Sequence, residues 1–258
     1  LSAVVLLGIS AWVWSCFKLT NGYISSIVNS IENRQLNLDE IEFGIDDTNT
    51  VKTLDSALLE KNELKQLFAI DLLWNLPLNP WKDSLEFLFT KGSPPIQRAI
   101  LELTWNKPDI ISDQLIIYKI KKEDDISPHA LMCANDRGLK NDITKLDNYL
   151  NHNNNSLRIA YAVTLLSNDK ESKISEELIN RIHKSKIVEN QIELIGFLKR
   201  HPHLLSSIYI TNYLQNGNIE IKNEMLRFLI NNPNISYFNH IFNLMEKPAT
   251  EILATQSL

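Results

Sequence analysis

The sequence predicts an all-α fold made of short helix–turn–helix repeats. Three observations support this prediction: apolar residues recur at helical spacing, short motifs recur about 31 residues apart, and glycine is scarce. The chain of 258 residues has 7 glycines, whereas average usage would give roughly 18. It contains no glycine-rich phosphate-binding loop and no Gly-x-Ser-x-Gly motif. These absences disfavour a doubly wound α/β enzyme.

Composition and charge limit the partners that we expect. The formal net charge is -5, which gives no general attraction for nucleic acid, so we expect no nucleic-acid partner. The two cysteines, Cys16 and Cys133, lie in unrelated contexts and indicate neither a disulfide framework nor a zinc cluster. We therefore expect no metal, no cofactor and no catalytic residue.

The amino-terminal segment differs from the rest of the chain. Residues 1–17 carry no charge, and a membrane-spanning helix needs about 17–20 such residues. Because the chain starts at Leu1 and not at methionine, we interpret residues 1–19 as an apolar helix, the remainder of a transmembrane helix. Trp12 and Trp14 suit the membrane interface. Three alternatives stay open: a signal peptide, a lipoprotein signal ending at Cys16, and an apolar helix buried against the repeats.

Residues 20–47 are predicted to connect this segment to the repeats. Tyr23, Ile27 and Ile31 are spaced by four residues, which predicts a helix. An acidic stretch follows from Asp39 onward and predicts a loop. The repeat region is then expected to cover residues 48–258.

The repeat is visible as motifs that return after about 31 residues. Leu-Leu-Trp-Asn at 72–75 returns as Leu-Thr-Trp-Asn at 103–106. Phe-Leu at 197–198 returns at 228–229, and the proline that follows the first pair returns as well. Proline ends a helix because it lacks the backbone amide and restricts the preceding residue. The motifs therefore mark the ends of successive units.

Each unit is predicted to hold two short helices. We place units at 50–76, 81–106, 141–168, 174–200 and 208–234, infer another within 109–138 from spacing, and expect a closing unit at 235–258. A unit of this length cannot bury both helices alone, so neighbouring units must stack. The sequence thus predicts an α-solenoid.

Three units carry a basic residue early in the second helix: Arg98, Arg158 and Lys222. Together with the short period, this feature makes the units resemble HEAT-like repeats of the kind common in bacterial proteins. An apolar helix, a connector and HEAT-like repeats in this order resemble the carboxy-terminal part of major-facilitator proteins related to ATP/ADP translocases. That resemblance implies a membrane protein with the repeats in the cytoplasm. The nucleotide-binding residues of that family lie in earlier membrane helices, so no substrate residue transfers to this chain.

The three basic residues are the candidate ligand contacts. Arg98, Arg158 and Lys222 could line a concave surface that binds an acidic partner or an anion. Alternatively, they pair with acidic residues of adjacent units, such as Glu102 or Glu193.

Other candidate residues favour structural roles. His129 and Cys133 have the spacing of two metal ligands on one helix face, but a buried thiol beside a boundary histidine explains them better. His201-Pro202-His203 is interpreted as a turn, since asparagines replace both histidines one unit later. Trp74 and Trp105 occupy equivalent positions and are predicted to lie in the core between units.

These features predict a protein that is not an enzyme. We expect a membrane-tethered scaffold whose repeats bind a protein partner or the membrane domain of the same protein. The alternative is the carboxy-terminal regulatory part of a nucleotide-type major-facilitator transporter. An enzyme would need titratable residues converging in a pocket around His129, His183 or His201.

Overall fold

The computed structural model describes residues 48–139, 150, 152–168 and 173–258. Within these ranges it contains thirteen α-helices and no β-strand, which confirms the all-α prediction. The predicted apolar helix at 1–19 and the connector at 20–47 lie outside the described residues. No helix in the described ranges is long and apolar enough to cross a membrane.

The contacts within the chain divide it into two compact units, Leu1–Thr104 and Trp105–Leu258. In the described part of the first unit, four helices form two consecutive pairs, each joined by a short loop. They are α1 (Thr48–Leu58), α2 (Glu63–Leu72), α3 (Lys82–Lys91) and α4 (Pro94–Leu103).

The second compact unit continues the same alternation of first and second helices. Its described helices are α5 (Asp113–Lys122), α6 (Ser127–Asp136), α7 (Asn155–Ser167), α8 (Lys173–His183), α9 (Val188–Leu198), α10 (Ser207–Asn216), α11 (Ile219–Asn231), α12 (Phe238–Met245) and α13 (Glu251–Gln256). The pair α5 and α6 occupies the 109–138 stretch that spacing alone had predicted. Of the unit predicted at 141–168, the second helix, α7, is described.

The second helices form the most buried layer of each compact unit. In the first compact unit α2 packs on α4, and in the second α6, α7, α9, α11 and α13 pack on one another in that order. Each first helix packs on the second helix of its own pair. Eight of the ten residues of α6 and seven of the thirteen residues of α7 are buried, whereas four of eleven in α8 and three of ten in α10 are.

Asparagine begins three of the second helices. The side chains of Asn62, Asn154 and Asn218 each accept a hydrogen bond from a backbone N–H in the first turn of the following helix. This arrangement satisfies an amide that has no partner within the helix. It also fixes where the second helix starts relative to the turn before it.

Hydrogen bonds between consecutive helix pairs join residues about one repeat apart. Trp81 Nε1 donates to the Val51 carbonyl at 3.0 Å, over a separation of 30 residues. In the second compact unit, Asn135 Nδ2 donates to Ser167 Oγ at 3.1 Å over 32 residues, and Asn232 Nδ2 donates to the Lys199 carbonyl at 3.0 Å over 33. Equivalent residues of consecutive pairs therefore face each other.

Two of the scarce glycines occupy the same place in different pairs. Gly92 and Gly217 each follow a first helix, and each backbone N–H donates to a carbonyl four residues earlier. A Cβ at Gly217 would lie 2.5 Å from the Tyr213 carbonyl oxygen and 2.9 Å from Ile221 Cγ2. A Cβ at Gly92 would meet the same two kinds of atom at the same distances. The turn between the two helices is thus too tight for a side chain.

We expect Gly217→Ala to lower the free energy of unfolding by about 1–3 kcal/mol, because the added methyl group must displace the backbone or Ile221. Urea unfolding followed by circular dichroism measures the change. Gly196→Ala is the matched control: Gly196 lies within α9, where an added Cβ would come no closer than 3.8 Å to Glu224. That variant should stabilise the protein by about 0.5–1 kcal/mol, because alanine favours the helix. Equal effects of the two substitutions would contradict the turn geometry.

Candidate functional site

The indole of Trp105, which precedes α5, meets a carboxylate at the end of α6 and a guanidinium and an imidazole that follow α9. Trp105 Nε1 donates to Asp136 Oδ2 at 2.9 Å, and His201 Nε2 lies 3.2 Å from the other carboxylate oxygen, Oδ1. The guanidinium carbon of Arg200 lies 3.8 Å from the centre of the Trp105 ring, a cation–π contact. We call these four residues the Trp105 cluster.

The Trp105 cluster joins helix pairs that are not consecutive. Asp136 ends α6, Arg200 and His201 follow α9, and α7 lies between these helices in sequence. The same two helices also meet through His129 and Phe197, whose ring centres are 5.1 Å apart. The second helices of alternate pairs therefore contact each other here, and the polar groups close the space between them.

Asp136 is held as a carboxylate. Burial acts to raise the pKa of Asp136, but the close contact with His201, the hydrogen bond from Trp105 and the nearby charge of Arg200 outweigh it. The resulting pKa lies below the usual value for aspartate. The Asp136 side chain is 18 % exposed, so its negative charge faces its partners more than it faces water. This arrangement suits a fixed ion pair better than a proton donor.

The backbone beneath the cluster is fixed as well. Arg137 Nε donates to the Trp105 carbonyl at 2.7 Å, and its Nη1 donates to the Ile111 carbonyl and to Asp113 Oδ1. The Cys133 thiol donates to the same Trp105 carbonyl at 3.3 Å. Cys133 is buried and its sulfur is used as a hydrogen-bond donor. These contacts fix the backbone at Trp105, and the Cys133 thiol is one of the groups that make them.

A second buried polar cluster lies between α8 and α10. His183 Nδ1 lies 2.6 Å from the Tyr213 hydroxyl, and the imidazole stacks on Tyr209 with ring centres 3.7 Å apart. Tyr209 in turn donates to Asn180 Oδ1 at 3.1 Å. Burial lowers the pKa of His183 to about 4 and raises the pKa of Tyr213 above its usual value. The pair is therefore neutral at pH 7.

A buried lysine lies in the pair formed by α5 and α6. Lys119 is buried, and its Nζ lies 4.0 Å from Asp124 Oδ2. Burial acts to raise the pKa of Asp124, but the Ile126 amide, Lys122 and Lys119 together lower it below its usual value. Ser127 Oγ donates to the Lys119 carbonyl at 2.8 Å, which ties the start of α6 to α5. The contacts give this lysine a structural role.

A cleft of about 440 Å³ lies between two successive turns of the second compact unit. Pro202 and Pro233, which are equivalent residues of consecutive repeats, lie on its wall, together with Phe228 and Tyr237. Asn231, Asn232 and Asn234 add amide groups to the lining. An apolar wall with amides beside it suits an extended polypeptide, whose backbone needs hydrogen bonds and whose side chains need apolar contacts.

The three predicted basic contacts have different surroundings. Arg98 is exposed on α4, in the first compact unit. On α7, Arg158 Nη2 donates to Asn155 Oδ1. The Nε of the same residue is buried without a hydrogen-bond partner among the described residues. Lys222 is half-buried near the start of α11. The ligand role of Arg98, Arg158 and Lys222 stays a prediction.

The two equivalent tryptophans differ. Trp105 is buried, as predicted, but Trp74 is 55 % exposed, so its assignment to the core is wrong. The repeat register supplies a physical reason. One repeat after Trp105 stands Asp136, which accepts the indole N–H, whereas one repeat after Trp74 stands another tryptophan, which has no acceptor to offer.

The histidine motifs are placed as follows. His129 packs edge-on against Phe197, and Cys133 is buried. In the part of the chain that the structure describes, no three His, Cys, Asp or Glu side chains converge as metal ligands would. Pro202–Leu204 form a single helical turn, as expected for a turn motif. His201 does more than shape that turn, because it lies against Asp136, and no pattern in the sequence indicated this contact.

Comparison with known proteins adds no family assignment. No protein-family model matches the chain, and no curated protein or solved structure matches it. The function therefore has to be inferred from the residues and contacts described above.

We expect acid to destabilise the protein through His183, which is 4 % exposed. Its pKa falls from 6.5 to about 4 on folding, so the unfolded chain binds more protons between these values. The contribution of His183 is complete above pH 6.5 and is lost as the pH falls to 4, by about 3 kcal/mol. Urea unfolding at pH 7 and pH 4.5 measures the loss.

His183→Leu, which introduces the residue found at the equivalent position of the next repeat, should remove most of this pH dependence. His203→Gln, at an exposed histidine, should keep it. An unchanged pH dependence in His183→Leu would show that the imidazole is not buried as described.

Proposed function

We propose that residues 48–258 form a HEAT-like α-solenoid that acts as a non-enzymatic scaffold for protein interactions and is tethered to a membrane through residues 1–19. The observation that carries this proposal is the hydrogen-bond register between consecutive helix pairs, with partners 29 to 33 residues apart. A helix pair that repeats its contacts at a constant separation builds a stack in which each pair depends on its neighbours.

The helix lengths support the solenoid. Most described helices have 10 to 13 residues, which is too short for stability in isolation. Within each compact unit, a helix pair covers apolar surface of the next pair, and the second helices supply the shared layer. An array of this kind exposes a large surface for its mass, and solenoids use such surfaces to bind other macromolecules.

The state of the titratable groups supports a scaffold over an enzyme. Asp136 accepts a hydrogen bond from Trp105 and lies 3.2 Å from His201 Nε2, and His183 is buried between Tyr209 and Tyr213. A catalytic acid or base must reach a substrate atom. Both side chains instead contact other residues of the fold, and these contacts join helix pairs.

The cleft between Pro202 and Pro233 is the proposed contact for a protein partner. Its wall belongs to consecutive repeats, so an extended segment could follow the direction of the stack. Asn231 and Asn234 are exposed beside it and can pair with the partner's backbone.

The alternative function is regulation of a nucleotide-type major-facilitator transporter by this carboxy-terminal part. It is supported by the charge-free segment at residues 1–17 and the connector that follows, both of which are sequence features. Under this alternative the partner of the cleft is the membrane domain of the same protein.

Site-specific photo-cross-linking in the full-length protein, in its native membranes, tests the two functions. A cross-linker replacing Asn234, at the cleft, should give an adduct with a separate protein, and one replacing Glu176, exposed on α8, should not. An adduct within the same chain, together with altered transport after deletion of residues 48–258, would favour the transporter alternative. No adduct at Asn234, or equal adducts at both positions, would contradict the cleft as the contact.

A further inference from the structure

The turn between α10 and α11 contains an asparagine followed by a glycine. Asn216 is the last residue of α10, and Gly217 follows it. Two asparagines of the chain precede a glycine, Asn21 and Asn216, and Asn216 lies in the part of the chain that the structure describes. In this dipeptide the backbone nitrogen attacks the side-chain amide more readily than in other asparagine contexts, because glycine has no side chain to shield its nitrogen.

The reacting groups lie at an exposed helix end. Asn216 is exposed, and its Nδ2 donates to Oδ1 of Asn212, which is exposed as well, at 2.9 Å. The Gly217 nitrogen donates to the Tyr213 carbonyl at 3.1 Å and so closes the end of α10. Helix ends open more easily than helix interiors. The side-chain amide and the nitrogen can therefore meet when these two hydrogen bonds open, without unfolding of the helix pair.

Packing keeps glycine in this turn. A Cβ at Gly217 would lie 2.5 Å from the Tyr213 carbonyl oxygen, so a residue that would shield the nitrogen does not fit. Gly92 has the same surroundings and a similar extended backbone in the turn between α3 and α4. The residue before Gly92 is Lys91, which cannot react in this way. The two turns therefore share their geometry and differ in the one side chain that the reaction needs.

We propose that Asn216 is a site of spontaneous deamidation, which converts the turn between α10 and α11 to an aspartyl or an isoaspartyl form. The Gly217 nitrogen loses its proton to hydroxide and bonds to Asn216 Cγ, and Nδ2 leaves as ammonia, which gives a cyclic succinimide. Water then opens this ring. Addition at Cγ breaks the new bond and leaves aspartate, whereas addition at the main-chain carbonyl carbon breaks the original peptide bond and leaves isoaspartate. In total, one amide and one water become one carboxylate and one ammonium ion.

Both products weaken the turn. Isoaspartate adds one carbon atom to the main chain, in a turn that has no space for a Cβ on Gly217. Each product also places a negative charge at the carboxyl end of α10, where the helix dipole disfavours it. The amide that donates to Asn212 is lost in each case. Because α10 packs on α11 and the turn sets their relative position, the modification loosens this helix pair.

Incubation of the full 258-residue chain in mild detergent at mildly alkaline pH tests the site, with peptide mapping by a fragmentation method that separates aspartate from isoaspartate. Asn216 of the folded chain should deamidate about 30-fold more slowly than in urea, because two exposed hydrogen bonds must open first. A reaction that required unfolding of the whole chain would be slower by more than about 1,000-fold. A measured ratio above about 100-fold would overturn the proposal, because opening of the helix end alone would not explain it.

Two variants test the chemistry and the geometry separately. Asn216→Gln keeps a side-chain amide but should abolish the reaction at this position, because the attack would have to close a larger ring. Lys91→Asn should create a second reactive site in the equivalent turn, with a rate similar to that of Asn216. Asn218, which precedes an isoleucine, should stay intact in every sample. An unreactive Lys91→Asn variant would contradict the role given to this turn.

The effect on the fold is measured on the isoaspartyl fraction, isolated by ion exchange. Its urea midpoint should lie below that of the unmodified chain, with Asn216→Asp between the two, since this variant has the charge without the added carbon atom. Incubated Asn216→Gln should keep its midpoint. Equal midpoints for the isoaspartyl and unmodified chains would contradict the expected effect on the turn. An intact Asn216 after Asn21 has reacted would overturn the site itself.

Discussion

Within each compact unit, packing of one helix pair on the next is the contact on which the rest of the structure depends. Helices of about ten residues have little stability of their own, and a single pair leaves one apolar face uncovered. Stacking removes that face from water, and the hydrogen bonds of Trp81, Asn135 and Asn232 fix the register in which it happens. Each of these hydrogen bonds spans about one repeat, so similar turns and helix starts recur in successive pairs.

Polar residues in the interior serve this packing. His183 is neutral between two tyrosines, whereas Asp136 keeps its charge because Trp105 donates to it and His201 and Arg200 lie close by. The first solution avoids the cost of burying an ion, and the second compensates that cost with partners. Both join helix pairs, and this shared role is why we infer a scaffold and not a reaction centre.

The all-α fold and the positions of the helix pairs followed from the sequence because apolar spacing, prolines and the period of about 31 all reflect contacts between neighbours. Contacts that skip a repeat leave no such trace, which is why the pairing of His201 with Asp136 was not predicted. The exposure of Trp74 was missed because equivalence in a repeat describes backbone position, not the partner available to the side chain. Asparagine precedes three of the second helices and could have located their first residues, but the comparison of residues 31 apart did not use it.

Distances between spin labels on successive second helices test the stacking most directly. Glu189, Glu220 and Glu251 are exposed, stand 31 residues apart and lie in the first turns of α9, α11 and α13. Packed helices have axes about 8–10 Å apart, so labels at Glu189 and Glu251 should be separated by about one such step more than labels at Glu189 and Glu220, both with narrow distributions. Broad distributions, or equal distances for the two label pairs, would contradict a stack of helix pairs in register.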